Sequence, residues 1–193
     1  EKFFEFGFLK VTIDEIAADL RMSKKTLYKF FPSKEDLIKA VVHHMMKRVG
    51  SQVDTIVQSP NPFDQKMTEL LAFIGKMWGR AGRRFPIDMK RNFPELWKEI
   101  ETFRRERVLT QIQKMFLQGQ QEGILRQDMN TDLFMLMFLS CVEGILNPTT
   151  LSEYPFSMAE AFKGIFKILF EGALTDEARA RFHLFEPSYS PPI

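Results

Sequence analysis

Residues 11–37 constrain the fold of this chain more than any other part of the sequence. Two short helix signatures follow each other there with only a few residues between them. Thr12 is followed three positions later by Glu15, which is a capping-box pattern, and Ser23 precedes a second helical run. Residues 21–34 include five basic residues and no acidic one. The pattern predicts two capped helices, the second of which presents a cationic N-terminal end.

These two helices have the packing features of a helix-turn-helix. Ala17 is small enough for the second helix to cross the first, and Arg21 begins the turn. The residues predicted to face inward are Ile16, Ala17, Leu20, Met22, Leu27 and Phe30. The N-terminus of the second helix then points outward, where its free N–H groups favour a phosphate. An ordinary helical corner with a solvated lysine face would show the same pattern.

The order of residues in this segment closely resembles the DNA-binding head of the TetR family of bacterial transcriptional regulators. The resemblance is carried by Thr-Ile-Asp-Glu-Ile-Ala at 12–17, by Met-Ser-Lys-Lys-Thr-Leu-Tyr-Lys-Phe-Phe at 22–31 and by Ser-Lys-Glu-Asp-Leu at 33–37. Gly7 and Phe8 match the family pattern that precedes it, whereas Arg21 stands where the family often has glycine. The resemblance implies a helix-turn-helix head on a larger helical body.

The predicted contacts to double-stranded DNA lie in and around the second helix. They are Thr12, Ser23, Lys24, Lys25, Thr26, Tyr28, Lys29 and Lys34. Of these, Lys24, Lys25 and Thr26 are predicted to read bases, and Thr12, Tyr28 and Lys34 to contact phosphates, because lysine can reach a guanine edge and threonine a thymine methyl. Phe31 also falls on a family contact position, but core packing explains it at least as well.

The whole chain is predicted to be all-α. The expected domains are a helix-turn-helix head at 1–47 with a truncated first helix, a helical body for effector binding and dimerisation at 48–186, and a tail at 187–193. In the body, Asn61 and Pro62 are predicted to open one helix, and a single long helix is predicted from Pro94 to near Gly123. Further helices are expected at 131–146 and, after a capping box at Ser157, at 158–171.

The helix predicted at 131–146 is apolar on nearly every side, which requires cover on every side. Its own chain can supply one cover and a second copy the other. The last main helix adds a stripe of small residues that allows close helix approach. The predicted homodimer interface consists of Leu136, Leu139, Ala161, Gly164, Ile165, Ile168 and Gly172.

Bulky and flexible apolar residues are concentrated between Phe63 and Phe116, in a chain with 20 Phe and 11 Met. Such side chains can line an adaptable pocket for a hydrophobic or planar effector, although core packing accounts for each one individually. The predicted pocket residues are Phe73, Met77, Trp78, Phe93, Trp97, Phe103, Phe116 and Phe138.

The sequence offers little for other functions. No nucleophile motif, phosphate loop or metal-spaced histidine cluster is present, so we expect no enzymatic activity, no cofactor and no metal; His43 and His44 are adjacent and would point about 100° apart on a helix. A single cysteine, Cys141, fits a reducing cytoplasm, and no apolar run is long enough to cross a membrane. We therefore expect a cytoplasmic repressor that binds a palindromic operator and is released by a small hydrophobic effector. A helical adaptor without sequence-specific DNA binding is the alternative.

Overall fold

The computed structural model describes residues 2–80, 84–145, 150 and 153–181. Within them the chain is helical, and its only extended pairing is an isolated antiparallel bridge between Leu125 and Leu174, so the all-α prediction is confirmed. The helices are α1 (Lys2–Phe6), α2 (Ile13–Asp19), α3 (Lys24–Phe30), α4 (Lys34–Gln58), α5 (Phe63–Arg80), α6 (Arg84–Asn92), α7 (Pro94–Phe103), α8 (Thr110–Gln121), α9 (Thr131–Ile145), α10 (Met158–Ala173) and α11 (Asp176–Arg181).

Internal packing divides the chain into two compact units. Unit 1 comprises Glu1–Thr55 and Phe73–Thr110, and unit 2 comprises Ile56–Ala72 and Gln111–Ile193. The predicted head, residues 1–47, falls within unit 1, which is larger than that head. The predicted tail, residues 187–193, lies outside the described residues.

The core of unit 1 is built around α1 to α4 together with α6 and α7. Phe8 and Val42 are fully buried and Ile38 almost so. The rings of Phe8 and Phe93 meet edge to face with centroids 5.9 Å apart. Partly buried Phe31 packs against the same core, which supports a packing role for this residue. This core fixes α2 and α3 against the N-terminal half of α4.

Two residues predicted to face inward are exposed. Leu20 is 54 % and Phe30 71 % exposed, whereas Ala17 and Leu27 are 3 % exposed as predicted. Leu20 is the C-cap of α2 and Phe30 is the last residue of α3. Helical periodicity does not predict which way a side chain points at these positions, because the helix ends there.

The helix predicted from Pro94 to near Gly123 is interrupted. Proline opens α7 as predicted, but a π-helical segment, Arg104–Leu109, separates α7 from α8. In unit 1 this segment contacts α4, where an Arg107 N–H donates to Asp54 Oδ2 at 2.6 Å. A π-helical insertion widens the turn without leaving a sequence signature that periodicity could reveal.

Unit 2 has an aromatic core. Phe63, which is fully buried, stacks on Phe170 with ring centroids 5.9 Å apart and meets Phe116 edge to face at 5.8 Å. Gly119 of α8 faces the Phe63 ring, and a Cβ there would come within 2.8 Å of it. Helix α9 packs against α10 in the same unit.

The connection between α4 and α5 is fixed by polar side chains of unit 2. Buried Lys66 donates to the carbonyl of Val57, at the end of α4, and to Gln118 Oε1, both at 2.8 Å. Glu122 Oε2 accepts the N–H of Phe63 at 3.0 Å and so fills the capping role predicted for Asn61. Helix α5 consequently begins at Phe63, one residue after the predicted start at Pro62.

Candidate nucleic-acid interface

Both helices of the candidate interface begin with the predicted caps. The N–H of Glu15 donates to Thr12 Oγ1 at 3.2 Å, and the N–H of Thr12 donates to Glu15 Oε2 at 2.7 Å. These hydrogen bonds hold the pKa of Glu15 below its ordinary value. At the start of α3 the N–H of Thr26 donates to Ser23 Oγ at 3.0 Å. The capping box at Thr12 and the cap at Ser23 are therefore confirmed.

The turn between the helices is a Schellman motif. The N–H of Arg21 donates to the carbonyl of Ala18 at 3.0 Å, and the N–H of Met22 donates to that of Ala17 at 2.9 Å. This pattern places the residue after the C-cap in the left-handed region. Arg21 has φ 52° accordingly, although glycine is the residue that favours this conformation.

The predicted DNA contacts all lie on this one corner of unit 1. Thr12, Ser23, Lys24, Lys25, Tyr28 and Lys29 are exposed, and Thr26 and Lys34 are half-buried. The hydroxyls of Ser23 and Thr26 hydrogen-bond each other at 2.8 Å, and that of Thr12 donates to Glu15 at 2.9 Å. These three residues therefore shape the helix starts as well as being placed where DNA contacts are predicted.

The four lysines of the corner differ in their surroundings. Lys24 Nζ lies 2.8 Å from Asp14 Oδ2, and the hydrogen bond to this carboxylate raises the pKa of Lys24 above its ordinary value. Lys25, Lys29 and Lys34 form no ion pair with any residue that the structure describes. Sequence reasoning did not find the role of Asp14, since its partner lies ten positions away across the turn.

The predicted effector-pocket residues are divided between the two units. Phe73, Met77, Phe93, Trp97 and Phe103 belong to unit 1, Phe116 and Phe138 belong to unit 2, and the side chain of Trp78 lies outside the described residues. Phe93 and Trp97 pack against the core of unit 1, and Trp97 Nε1 donates to Glu101 at 2.6 Å. Phe116 is 3 % exposed and forms part of the aromatic core of unit 2. These positions support core packing, and a pocket stays a prediction.

A surface depression of about 540 Å³ occurs elsewhere in unit 2. Its lining residues are Arg126, Gln127, Asp128, Leu174, Thr175, Asp176 and Arg179. Both arginines pair with aspartates of this group, Arg126 with Asp128 at 2.7 Å and Arg179 with Asp176 at 3.3 Å. The depression is polar and contains none of the predicted pocket residues.

The predicted dimer residues fall into two groups. Leu136 and Ile168 are 61 % and 74 % exposed, and a Cβ at Gly164 or Gly172 would meet nothing within 4 Å. Half-buried Ala161 lies on the same helix, α10. Leu139 and Ile165 differ from the prediction because they are buried within the protomer itself.

Two exposed side chains of α9 were not among the predicted dimer residues. Leu133 and Met137 are 55 % and 48 % exposed. They stand four positions apart, which places them on one side of the helix. Their apolar character was evident in the sequence, but only the structure shows which side of α9 the described residues leave exposed.

Other kinds of site find no support in the described part of the chain. No group of three or more histidine, cysteine, aspartate or glutamate side chains there could hold a metal ion. None of the helices described has the length and apolar character needed to cross a membrane.

Comparison with known proteins defines the class of this chain. Residues 1–41 match the family described as bacterial regulatory proteins, tetR family. An uncharacterized HTH-type transcriptional regulator, YvaF of Bacillus subtilis (strain 168), is 23 % identical over 168 residues, covering 86 % of this chain and 87 % of the relative. The chain is thus a helix-turn-helix transcriptional regulator.

Solved structures share its fold. One is a putative transcriptional regulator from Saccharomonospora viridis in complex with choline (TM-score 0.66, 16 % identity, 90 % of this chain and 92 % of that one). Another is FadR from Bacillus subtilis in complex with stearoyl-CoA (TM-score 0.57, 13 % identity, 88 % and 92 %). The resemblance to the TetR family seen in residues 12–37 is confirmed by the family match over residues 1–41, and the solved structures share the fold of the longer chain.

Proposed function

We propose that this regulator represses transcription by binding a palindromic operator as a homodimer, and that a small hydrophobic effector releases it. The observation that carries the proposal is the capped, basic corner of unit 1. There Ser23 caps α3, which begins at Lys24, and three lysines of the corner have no carboxylate partner among the described residues. Such a surface favours a polyanion, and a capped helix N-terminus gives it direction.

Within this corner we assign base reading to Lys24, Lys25 and Thr26 and phosphate contact to Thr12, Tyr28 and Lys34. Lys25 is exposed and has no carboxylate partner among the described residues, so its ammonium can reach a guanine edge or a neighbouring phosphate. Tyr28 is 40 % exposed one turn further along α3, where its hydroxyl suits the flanking backbone. Because bacterial DNA lies in the cytoplasm, we expect the protein there.

The dimer is supported by the apolar face shared by α9 and α10. Leu133, Leu136, Met137 and Ile168 each expose about half or more of their surface on a single protomer. The open positions at Gly164 and Gly172 allow another helix to approach closely. A two-fold homodimer carries two copies of α3, which suits a palindrome with half-sites about 34–36 Å apart or a multiple of that spacing.

The effector is proposed from the body composition and from the fold relatives. Relatives of the same fold were solved with choline and with stearoyl-CoA, so this architecture accommodates small molecules in other proteins. Release requires the effector to bind the DNA-incompetent state better than the DNA-bound state. Helix α4 contributes residues to both units and carries Lys34 at its start, so we assign it the coupling role.

The DNA contacts are tested on an operator selected from a random duplex pool at moderate salt with competitor DNA. Selection should enrich a palindrome, whereas the adaptor alternative predicts no enrichment. Lys25→Ala should then weaken operator binding by roughly 5- to 150-fold, and Tyr28→Phe by about 5-fold through loss of one hydrogen bond. Lys114→Ala, which removes the same charge from an exposed position of α8 in unit 2, serves as the control. Unchanged affinity in both head variants would contradict the contact assignment.

The dimer is tested by sedimentation of Gly164→Leu. A Cβ there meets no described atom within 4 Å, so helical circular dichroism should be unchanged, and a smaller mass would then reflect loss of the partner rather than unfolding. Gly75→Leu, at an exposed position of α5, is the matched control, because a Cβ there also meets no described atom within 4 Å. A Gly164→Leu dimer as tight as the wild type would place the interface elsewhere.

A further inference from the structure

We propose that Asp14 is a specificity-determining residue of the DNA-binding corner, which holds Lys24 for base reading and keeps its ammonium from serving as a general phosphate clamp. The inference rests on the proposed function, since it presupposes an operator. It assigns a function to a carboxylate on a surface that otherwise attracts DNA.

The geometry links the starts of the two helices. Asp14 lies in the first turn of α2 and Lys24 in the first turn of α3, and their charged atoms are 2.8 Å apart. Both side chains are exposed, at 50 % for Lys24 and 66 % for Asp14, so DNA can reach the pair. The Schellman turn through Arg21 and Met22 fixes the backbone between them.

The pairing distinguishes Lys24 from the other lysines of the corner. Lys25, Lys29 and Lys34 have no carboxylate partner among the described residues, so each can contact a phosphate at any sequence, including Lys25, which is also assigned a base contact. An unrestrained lysine behaves as a flexible point charge, so its base contact discriminates between sequences less sharply than the contact of a lysine held in one direction. A carboxylate that pairs with a lysine holds its ammonium in one direction. The ammonium then donates a hydrogen bond to a guanine acceptor placed in that direction and not to a base that lacks one.

The carboxylate also acts against the wrong sequences. Asp14 repels phosphates, and this repulsion applies to every duplex alike. At the operator, an ammonium shared between Asp14 and a guanine edge offsets the repulsion, whereas at an unrelated sequence it is not offset. Specificity is the difference between the affinity for the operator and the affinity for unrelated duplex. A group that weakens binding to unrelated duplex therefore raises specificity.

Replacing Asp14 with asparagine should therefore tighten non-specific binding and lower discrimination. The freed ammonium can reach a phosphate, so the slope of log affinity against log salt for unrelated duplex should become steeper by about 0.9, which corresponds to one additional contact. The ratio of operator affinity to unrelated-duplex affinity should fall by roughly fivefold or more, the discrimination expected of one base contact.

The matched control is Asp19→Asn at the other end of α2. Asp19 pairs with Lys2 at 2.7 Å, so this variant removes the same charge and a similar exposed ion pair without touching a predicted base contact. Affinity for the selected operator and for an unrelated duplex is measured over a range of salt for four proteins. These are Asp14→Asn, Asp19→Asn, Lys24→Ala and the double variant that combines Asp14→Asn with Lys24→Ala. Without Lys24, the Asp14 substitution should change the discrimination ratio no more than Asp19→Asn does.

Each outcome decides between the two proposals. A lower ratio in Asp14→Asn, an unchanged ratio in Asp19→Asn and loss of the difference in the Lys24→Ala background support the inference. If the wild type prefers the operator and Asp14→Asn keeps that preference, the inference is wrong and the proposed function stands. If the wild type shows no preference for any duplex, the proposed function fails and the inference fails with it.

Discussion

Replacing Arg21 with glycine should stabilise this protein. Arg21 closes the Schellman motif at the end of α2 with φ 52°, a conformation in which the Cβ of an L-residue crowds the following carbonyl. The same motif ends α8, where the N–H of Gly123 donates to Gln120 and that of Ile124 to Gly119, both at 3.0 Å. At that second site the left-handed residue is Gly123, with φ 69°.

The two sites allow the magnitude to be estimated. Relief of the left-handed strain raises the free energy of unfolding by about 1–2 kcal/mol, and the greater freedom of glycine in the unfolded chain lowers it by about 0.5–1 kcal/mol. The net gain for Arg21→Gly is about 0.5–1 kcal/mol, or roughly 1–4 °C in Tm for a chain of this length. Gly123→Ala should lose a similar amount, since its Cβ would meet nothing within 4 Å and only the backbone conformation opposes it.

Urea unfolding followed by tryptophan fluorescence suits this test. Both tryptophans of the sequence fall in the residue ranges of unit 1, which also contains Arg21. Gly123 belongs to unit 2, so helical circular dichroism is the appropriate signal for its variant. Arg21→Ala is the control, because it removes the guanidinium and keeps the Cβ. If Arg21→Gly is no more stable than Arg21→Ala, the strain argument is refuted.

Two further predictions concern the body and the head. Gly119→Ala should cost about 1–3 kcal/mol in urea unfolding because its Cβ would come within 2.8 Å of the buried Phe63 ring, whereas Gly75→Ala, with nothing nearby, should gain up to about 1 kcal/mol. Since Thr12 lowers the pKa of Glu15 from its ordinary 4.5, that carboxylate stabilises the fold above this pH, and the stabilisation is lost as pH falls through the lower folded value. Glu15→Gln keeps the cap without titrating, so its Tm should fall less than the wild-type Tm during acidification.

Short-range features were the part of the fold that the sequence predicted well. The caps at Thr12, Ser23 and Ser157 all appear as predicted, because each depends on partners three positions away. The family resemblance was likewise carried by a short ordered segment, residues 12–37. Hydrogen bonds between neighbouring residues and the order of residues in a short segment do not depend on how the rest of the chain packs.

Features that depend on distant partners were not predictable in the same way. The pairing of Lys24 with Asp14 crosses a turn, and the capping of Phe63 by Glu122 joins residues 59 positions apart. Apolar periodicity also marked Leu139 and Ile165 as available to a partner, but their own protomer buries them. Periodicity identifies an apolar side chain, whereas tertiary packing decides which neighbour covers it.

The short recognition helix and the uncovered face of the body lead to one conclusion. Helix α3 has seven residues and is therefore about 10 Å long, which matches roughly three base pairs at 3.4 Å each. Three base pairs recur throughout any genome, so one copy of α3 cannot define an operator, whereas the two copies of the proposed homodimer could. Gly164→Leu, which leaves the head untouched, should therefore weaken binding to the full palindrome while leaving binding to a single half-site unchanged. Equal affinity of the variant and the wild type for the palindrome would show that recognition does not depend on this face.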